Sequence, residues 1–381
     1  MRTRSPFMPQ TSCSTSMGQD LTVSVYYSRI PIGAPRRVSG GVHLGRNWRQ
    51  EPEPRRLLTS PVLCSRLFGA CRERGGIMPG RIRVGLSSWT DKSLIESGEF
   101  YPPHVRDAAG RLSYYVQHFP DLVEVNSTYY GLPSERSALL WHQRTPADFV
   151  FDIKIFSLFT FHPTPPASLP KDLRQELPAE LLEKEMLYFD QVPAEIAEET
   201  LRRFLAGLRP LQSAGKVGAI LVQFPHWFYP KPESFDHILW LAERLQPLQV
   251  AVEFRQRAWL DASHRAGVLQ FLTEHSLTYV CVDEPAGLRS SVPPLAFATN
   301  PRLSYVRFHG RRAETWEQSG VSVHERTQYL YKPEELQEWV PKIRRLAEET
   351  QEVHVLMNTN YRDYAVRNAK QLMLLLEQHR E

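Results

Sequence analysis

The chain has 381 residues, 42% of them apolar, and this length and composition are typical of a globular protein with a sizeable core. It contains no run of about eighteen uncharged apolar residues, so no membrane span is predicted. No apolar stretch follows the first residues, which argues against a secretory signal and favours a cytoplasmic protein.

The formal net charge of +4 is distributed unevenly. Residues 1–77 contain twelve Arg, no Lys and four acids, a net of +8, which leaves −4 for the remaining residues. Because phosphate contacts need clustered Lys and Arg, the acidic remainder argues against nucleic acid as a partner. The oligomeric state is left open by the sequence.

Residues 1–77 are rich in Arg, Pro, Ser and Gly and have no sustained period of 2 or 3.6, so we expect a disordered leader. Met78 directly precedes a strand-like segment. Our hypothesis is that the gene start is mis-assigned and that Met78 is the natural initiator. A targeting or nucleic-acid-binding arm is the alternative. The only cysteine after this leader is Cys281, so residues 78–381 can form no internal disulfide.

From Ile82 onward, short β-branched runs alternate with longer amphipathic stretches, as in βα units. The predicted strands are Ile82–Ser88, Leu122–Thr128, Phe149–Ile155, Val217–Phe224, Val250–Arg255, Thr278–Asp283, Leu303–His309 and Glu352–Asn358. The predicted helices are Arg106–Phe119, Ser134–Arg144, Ala194–Leu211, Glu233–Leu245, Ala262–His275, Pro333–Glu349 and Ala365–Gln378. The signal for a sixth helix, between the sixth and seventh strands, is weak.

This alternation predicts an α/β fold, a single (β/α)8 TIM barrel over residues 78–381. The Pro-rich segment at about 162–193 is interpreted as an insertion after the third strand and as a candidate lid. The amino-terminal halves of the strands are mainly Val, Ile, Leu and Ala, so we expect the ionisable groups at the carboxyl end only.

Side chains alternate inward and outward along each strand, and active sites of such barrels lie at the carboxyl ends of the strands. The predicted catalytic residues are Glu124, Lys154, Glu253, Asp283 and His309. The predicted substrate-binding residues are Ser87, Asn126, Gln223, Arg255, Arg307, Arg311, Asn358 and Trp259. A buried network of mutually neutralised charges without any activity is the alternative interpretation.

Motifs spread from Arg81 to Gln378 carry a family resemblance. They include Val84-Gly-Leu-Ser-Ser-Trp89, Phe100-Tyr-Pro-Pro103, Val123-Glu-Val-Asn-Ser-Thr-Tyr-Tyr130, Phe151-Asp-Ile-Lys154, Gln223-Phe-Pro225, Val252-Glu-Phe-Arg255, Tyr305-Val-Arg-Phe-His-Gly-Arg311 and Ala365-Val-Arg-Asn-Ala369. Together they resemble the DUF72 family, also called YecE-like or UPF0759. The resemblance implies a barrel fold and no settled activity.

The chain also departs from the pattern of this family. Ser88 stands where the family usually has Gly, and Met357-Asn-Thr-Asn360 replaces the usual Phe-Asn-Asn, so only Asn358 aligns there. His162 lies in a motif with altered spacing, which makes it a weaker site candidate than His309.

The preferred function is acid–base chemistry on a small anionic substrate, such as a carboxylate, a phosphate or a sugar-type anion. The arginines would bind the anion, and Glu124 or Glu253 would act as base with Lys154 or His309 as acid. Lys154 could instead form a Schiff base if the neighbouring Arg residues lower its pKa. Gln223 and His309 stand where related barrels place glycosidase carboxylates, which argues against that mechanism.

Two further functions stay open. No cofactor is predicted, although a divalent metal on Glu124, Glu253, Asp283 and His309 would suit a hydrolase, isomerase or nucleic-acid-binding protein similar to the xylose isomerase and endonuclease IV barrels. A non-catalytic protein that binds a small anion is the other alternative.

Overall fold

The computed structural model describes residues 79–378, so the predictions for the leader and for Met78 lie outside the described residues. Eight parallel strands run through this part of the chain. They are β1 Arg81–Leu86, β2 Leu122–Val125, β3 Val150–Lys154, β4 Val217–Gln223, β5 Gln249–Glu253, β6 Thr278–Asp283, β7 Leu303–Phe308 and β8 Glu352–Met357. Their order is β1-β8-β7-β6-β5-β4-β3-β2. The predicted barrel and all eight predicted strands are confirmed, and seven strands end one to three residues earlier than predicted.

Helices cover the outside of the sheet. They are α1 Lys92–Ser97, α2 Ala108–His118, α3 Glu135–Gln143, α4 Lys171–Gln175, α5 Ala179–Leu182, α6 Ala194–Gly207, α7 Arg209–Ser213, α8 Pro232–Leu245, α9 Arg265–Glu274, α10 Ala313–Trp316, α11 Val323–Arg326, α12 Pro333–Gln337, α13 Val340–Glu349 and α14 Tyr364–Gln378. The starts of the first three follow from the sequence, because Asp91, Asp107 and Ser134 accept hydrogen bonds from backbone N–H groups of the first turn.

Two predicted helices are interrupted. Ala194–Leu211 is divided at Leu208 into α6 and α7, and Pro333–Glu349 is divided into α12 and α13. Pro210 and Pro341 lie in the first turns of the second halves, because proline lacks the N–H that a continuous helix would need. Residues 284–302, between β6 and β7, contain no helix, as the weak sequence signal predicted.

Side chains join β1 to β2, the two strands that share no backbone ladder in the described structure. The buried hydroxyl of Tyr115 accepts from the Leu86 N–H at 2.9 Å and donates to the Leu122 carbonyl at 2.8 Å. Gly85 allows this close approach, since a Cβ there would lie 2.4 Å from the Leu122 oxygen. The barrel is therefore closed by a tyrosine hydroxyl at this seam.

The predicted insertion lies between β3 and α6 and contains α4 and α5. An antiparallel bridge pairs Thr164 with Leu187 near its two ends. Its apolar side chains are buried, including Leu169, Leu173 and Leu181. The segment therefore packs as an ordered layer at the barrel mouth, and its role as a lid stays a prediction.

A second ionic cluster occupies the amino-terminal half of the barrel, where we had expected apolar residues only. His354 lies 3.0 Å from Asp152 through Nδ1 and 3.1 Å from Glu352 through Nε2, and Arg83 donates to Glu352 at 2.8 Å. These side chains point into the barrel because alternate residues of each strand face the same side, and these positions fall on the inner side. The expectation of charges at one end only was wrong.

Candidate functional site

Arg307 lies at the centre of the carboxyl half of the barrel and is completely buried. Its Nη2 donates to Glu124 Oε1 at 2.6 Å and its Nη1 to Glu253 Oε2 at 2.6 Å. Tyr305, two residues earlier on the same face of β7, donates its hydroxyl to the other Glu124 oxygen at 3.0 Å. One guanidinium therefore holds carboxylates from β2 and β5.

This arrangement shifts the pKa values of the two carboxyls in opposite directions. Burial raises the pKa of Glu124, because the desolvation penalty outweighs the attraction of Arg307 and Lys154. Burial also acts on Glu253, but the charges of Arg307 and Arg255 overcome it and hold the pKa of Glu253 well below its ordinary value. Glu253 is therefore a fixed anion and a weak base.

Arg255 connects Glu253 to the rim. Its Nε donates to Glu253 Oε1 at 2.6 Å, and its Nη1 donates to Glu284 Oε2 at 2.8 Å. Its Nη2 lies 3.0 Å from Nε2 of His309, and its guanidinium lies 5.2 Å from the centroid of Trp316. Sequence reasoning missed Glu284 and Trp316. The signal for Glu284 was inward parity with Val280 and Val282 on β6.

His309 is held in place rather than free to titrate near neutral pH. Its Nδ1 lies 2.9 Å from the Asn358 amide, and its Nε2 lies 3.3 Å from Glu253 Oε1. Burial, followed by the charge of Arg255, lowers the pKa of His309 to about 3. A neutral imidazole here orients Arg255 and Glu253.

Lys154 reaches the mouth from the end of β3. Its Nζ donates to Gln223 Oε1 at 3.1 Å and lies 4.5 Å from the centroid of the Tyr129 ring. Within residues 79–378, no carboxylate lies within ion-pair distance of this amine. Burial, followed by repulsion from Arg307, lowers its pKa to about 8.

His162 contacts the ring of Tyr129, over which the amine of Lys154 also lies, and the ring centroids of His162 and Tyr129 are 5.3 Å apart. The Thr160 hydroxyl donates to the Ser157 carbonyl at 3.1 Å, so its oxygen accepts from His162 Nδ1, 2.8 Å away. This bond leaves Nε2 of His162 as the ring nitrogen with a free lone pair. The sequence makes His162 a weaker site candidate than His309 because of the altered motif spacing, and its participation in the site stays a prediction.

Asn126 and Ser87 meet at the seam between β1 and β2, where the Asn126 amide donates to the Ser87 carbonyl at 2.5 Å. The Oδ1 of Asn126 and the hydroxyl of Ser87 are buried, and neither has a hydrogen-bond partner among the described residues. Buried polar atoms normally have partners, so this corner can accept a polar ligand atom or a water.

Three residues predicted for the site lie outside it, namely Asp283, Arg311 and Trp259. Asp283 points outward and accepts from Arg311 at 2.8 Å, from the Tyr331 hydroxyl at 2.7 Å and from Trp339 Nε1 at 2.6 Å. Arg311 is thereby held on Asp283 outside the barrel interior. The assignment of both residues to the site was wrong. The inward-facing residues of β6 are Val280 and Val282, and Asp283 lies on the opposite face of the strand.

The assignment of Trp259 as a substrate wall was also wrong. Its side chain is completely buried, stacked 4.2 Å from Phe254 and 5.5 Å from Phe228, and its Nε1 donates to the Phe228 carbonyl at 2.6 Å. It belongs to the aromatic core. Trp227, half-buried and 6.0 Å from the His162 ring, lies at the mouth instead.

Comparison with known proteins decides the family. The model of the DUF72 family, described as proteins of unknown function, matches residues 83–381. The chain belongs to the DUF72 family. The UPF0759 protein YunF of Bacillus subtilis (strain 168) is 28% identical over 299 residues, which cover 78% of this chain and 95% of YunF.

Solved structures of DUF72 proteins agree with this assignment. A DUF72 protein of Enterococcus faecalis V583 is 28% identical with a TM-score of 0.63, over 78% of this chain and 95% of the other. A DUF72 protein of Thermotoga maritima MSB8 is 29% identical with a TM-score of 0.59, and the match covers 78% of this chain and 99% of the other. No helix between residues 79 and 378 of the present DUF72 chain has the length and apolar composition that a membrane crossing requires.

The site of this DUF72 protein has two layers. The lower layer is buried and contains all its carboxylates, Glu124, Glu253 and Glu284, together with Arg307 and His309. The upper layer is half-buried and faces the mouth; its members are Asn126, Lys154, Gln223, Arg255 and Asn358. The half-buried side chains of the site are therefore cations and amides, whereas its carboxylates are buried.

The four candidate metal ligands do not converge in the described structure. Asp283 faces away from the other three, and the guanidinium of Arg307 lies between Glu124 and Glu253. No group of three His, Cys, Asp or Glu side chains within residues 79–378 is arranged to hold a metal ion.

Proposed function

We propose that this protein is an enzyme that binds a small anionic substrate at the carboxyl end of the barrel and performs acid–base chemistry on it. The observation that supports this most directly is the upper layer, which offers two cations and three amides and no carboxylate. Forked guanidinium hydrogen bonds and amides suit a carboxylate, a phosphate or an oxygen-rich sugar derivative.

The balance of charged side chains at the carboxyl end of the barrel favours the binding of an anion there. Burial raises the pKa of Glu284 to about 8 despite the neighbouring Arg255, so at neutral pH this carboxyl is largely protonated. Among the described residues of the site, Arg255, Arg307 and a protonated Lys154 then face only Glu124 and Glu253, which leaves one positive charge in excess near the mouth. A bound anion would compensate for it.

Proton transfer is assigned to Lys154. A general acid or base works best when its pKa lies near the working pH, and the pKa of Lys154 is about 8. Glu253, one of the two bases predicted from sequence, is held ionised by Arg307 and Arg255 and is a weak base, whereas the raised pKa of Glu124 keeps that residue a candidate base. Arg255 would hold the anion, and Asn126, Gln223 and Asn358 would orient the substrate.

Anion binding is the first test. Wild-type protein would be titrated by calorimetry with phosphate, citrate, pyruvate and glycerol 3-phosphate, beside Arg255→Ala and the control Arg257→Ala. Arg257 is exposed and two residues further along. We expect at least one anion to bind wild type and control equally and Arg255→Ala at least about tenfold more weakly, as for one lost charge-assisted contact. Equal binding by all three proteins would refute the assignment of Arg255.

A non-catalytic anion-binding protein is the second candidate. It is favoured by Arg307, which neutralises two of the three buried carboxylates. Mass spectrometry of bound anions after long incubation separates the two functions, because an enzyme changes its ligand and a carrier returns it intact. The same incubations with and without Mn²⁺ or Mg²⁺ test the metal-dependent alternative. A cytoplasmic location stays a prediction from the sequence.

A further inference from the structure

The surroundings of Lys154 stabilise a neutral amine better than an ammonium ion. Its hydrogen-bond acceptor, Gln223 Oε1, also accepts from Arg307 Nη1 at 3.1 Å, so the amine shares a neutral oxygen with a permanent cation. The nearby carboxylates Glu124 and Glu253 are both engaged by that same guanidinium. An ammonium at this position has the Tyr129 ring face 4.5 Å away as a favourable contact, repulsion from Arg307, and, among the described residues, no carboxylate in contact.

From this arrangement we infer that Lys154 is a nucleophile that forms an imine with a small carbonyl substrate bearing a carboxylate or phosphate, which Arg255 holds. The inference rests on the proposed anion-binding enzyme and specifies its substrate class. A neutral amine beside a cation is the environment that activates lysine towards carbonyl groups.

The positions of the two residues limit the size of the substrate. Lys154 ends β3 and Arg255 follows β5, with only β4 between them. Neighbouring strands are about 4.8 Å apart, so the two backbones are about 10 Å apart and their side chains converge from there. A molecule with a chain of about three to six heavy atoms spans that gap, which fits a small oxo acid or a short sugar phosphate.

The reaction balances without any oxidant or reductant. The Lys154 nitrogen forms a bond to the carbonyl carbon while the π pair moves to oxygen, which takes up a proton as the nitrogen loses one. The resulting hydroxyl group takes up a proton and leaves as water while the nitrogen lone pair forms the carbon–nitrogen double bond of a protonated imine. Loss of the remaining N–H proton would return the proton that was taken up. Hydrolysis reverses both steps.

His162 contacts the same tyrosine ring as Lys154 and is the candidate base for the carbon next to the imine. A protonated imine withdraws electrons and acidifies the neighbouring C–H, whose proton can pass to the free Nε2 of His162. Burial, followed by the charges of Lys154 and Arg255, lowers the pKa of His162 to about 3 in the empty site. An anion bound on Arg255 offsets one of these charges and makes His162 more basic.

Reductive trapping tests the inference on the full chain. The protein would be incubated with pyruvate, glyoxylate or dihydroxyacetone phosphate plus cyanoborohydride, with acetone as an uncharged comparison, and the adducts mapped by peptide mass spectrometry. We expect one adduct per chain, on Lys154, with an anionic probe favoured over acetone. Lys154→Arg and Lys154→Met should abolish it, whereas Lys231→Met, at an exposed position, should not.

The pH dependence of the labelling of Lys154 gives a second test of the inference. At pH 8 the neutral fraction of Lys154 is about a hundredfold larger than that of an ordinary lysine, so its labelling should rise with a midpoint near its pKa of about 8. Labelling of surface lysines should keep rising beyond about pH 10.

Two negative results are distinguishable. Labelling confined to surface lysines, in a protein that still binds an anion through Arg255, would overturn the imine and leave the proposed function standing. Absence of both the adduct and anion binding in correctly folded protein would overturn the two together.

Discussion

Arg307 donates from Nη1 to Oε2 of Glu253 at 2.6 Å, and both side chains are completely buried. This contact changes the role that can be assigned to the charged residues at the strand ends. The charges of Arg307 and Arg255 hold Glu253 in its ionised form and make it a poor proton acceptor. The chemistry therefore moves to the half-buried residues above it.

Replacing Arg307 by Met should destabilise the protein strongly. The substitution leaves Glu124 buried without its guanidinium partner and Glu253 with Arg255 alone, and breaking a buried ion pair in this way typically costs about 3–5 kcal/mol. Urea denaturation monitored by circular dichroism measures the free energy of unfolding. Arg257→Met, at an exposed site, should change it by less than about 0.5 kcal/mol. Adding Glu124→Gln and Glu253→Gln to the Arg307 variant should restore part of the loss, and a loss below about 1 kcal/mol would contradict the buried-pair argument.

Replacing Lys154 by Met should stabilise the fold at neutral pH. The lowered pKa means that folding disfavours the charged amine, so the ammonium reduces stability below about pH 8. A methionine of similar length removes that cost, and we expect a gain of about 1 kcal/mol at pH 7. Lys231→Met serves as the exposed control, with no comparable gain. If Lys154→Met is less stable than wild type at pH 7, the amine is a structural cation after all.

His354 should make the stability depend on pH in the alkaline range. Burial alone would lower its pKa, but Asp152 and Glu352 raise it to about 9. A histidine with a raised folded-state pKa contributes its full stabilisation below its unfolded value of about 6.5, and this is lost as the pH rises to about 9. The wild type should lose about 3 kcal/mol relative to His354→Gln between these limits. Parallel stability curves of the two proteins from about pH 6 to 9.5 would show that His354 is neutral in the fold.

Gly218 should tolerate no side chain. A Cβ there would lie 2.4 Å from both Asp152 Oδ1 and Val150 Cγ1, and 2.8 Å from His354 Cε1. Gly218→Ala should therefore cost about 1–3 kcal/mol or more, as overpacking does. At Gly267 on α9, a Cβ would meet no described atom within 4 Å, so Gly267→Ala should stabilise the helix by about 0.5–1 kcal/mol. Thermal melts of the two variants should shift in opposite directions, and a neutral Gly218→Ala would mean that the lower cluster can relax.

Much of the fold follows from local sequence. The eight β-branched runs predict the eight strands, because strands of a buried parallel sheet are rich in Val, Ile and Leu. Parity along β2, β4, β5 and β7 correctly places Glu124, Gln223, Glu253 and Arg307 on the inner face. The family also follows from motifs that can be read in the sequence. These features depend on residues a few positions apart.

Tertiary structure decided the rest. Whether a strand-end acid faces inward depends on the neighbouring strands, and Asp283 is turned towards Tyr331 and Trp339, which lie about fifty residues further along the chain. The proximity of His162 to Lys154 depends on the path of an irregular segment. The pKa of Lys154 depends on a guanidinium contributed by β7. Sequence sets the alternation of residues along each strand, but only the closed barrel determines which charges meet, since electrostatic interaction depends on distance in space rather than on separation along the chain.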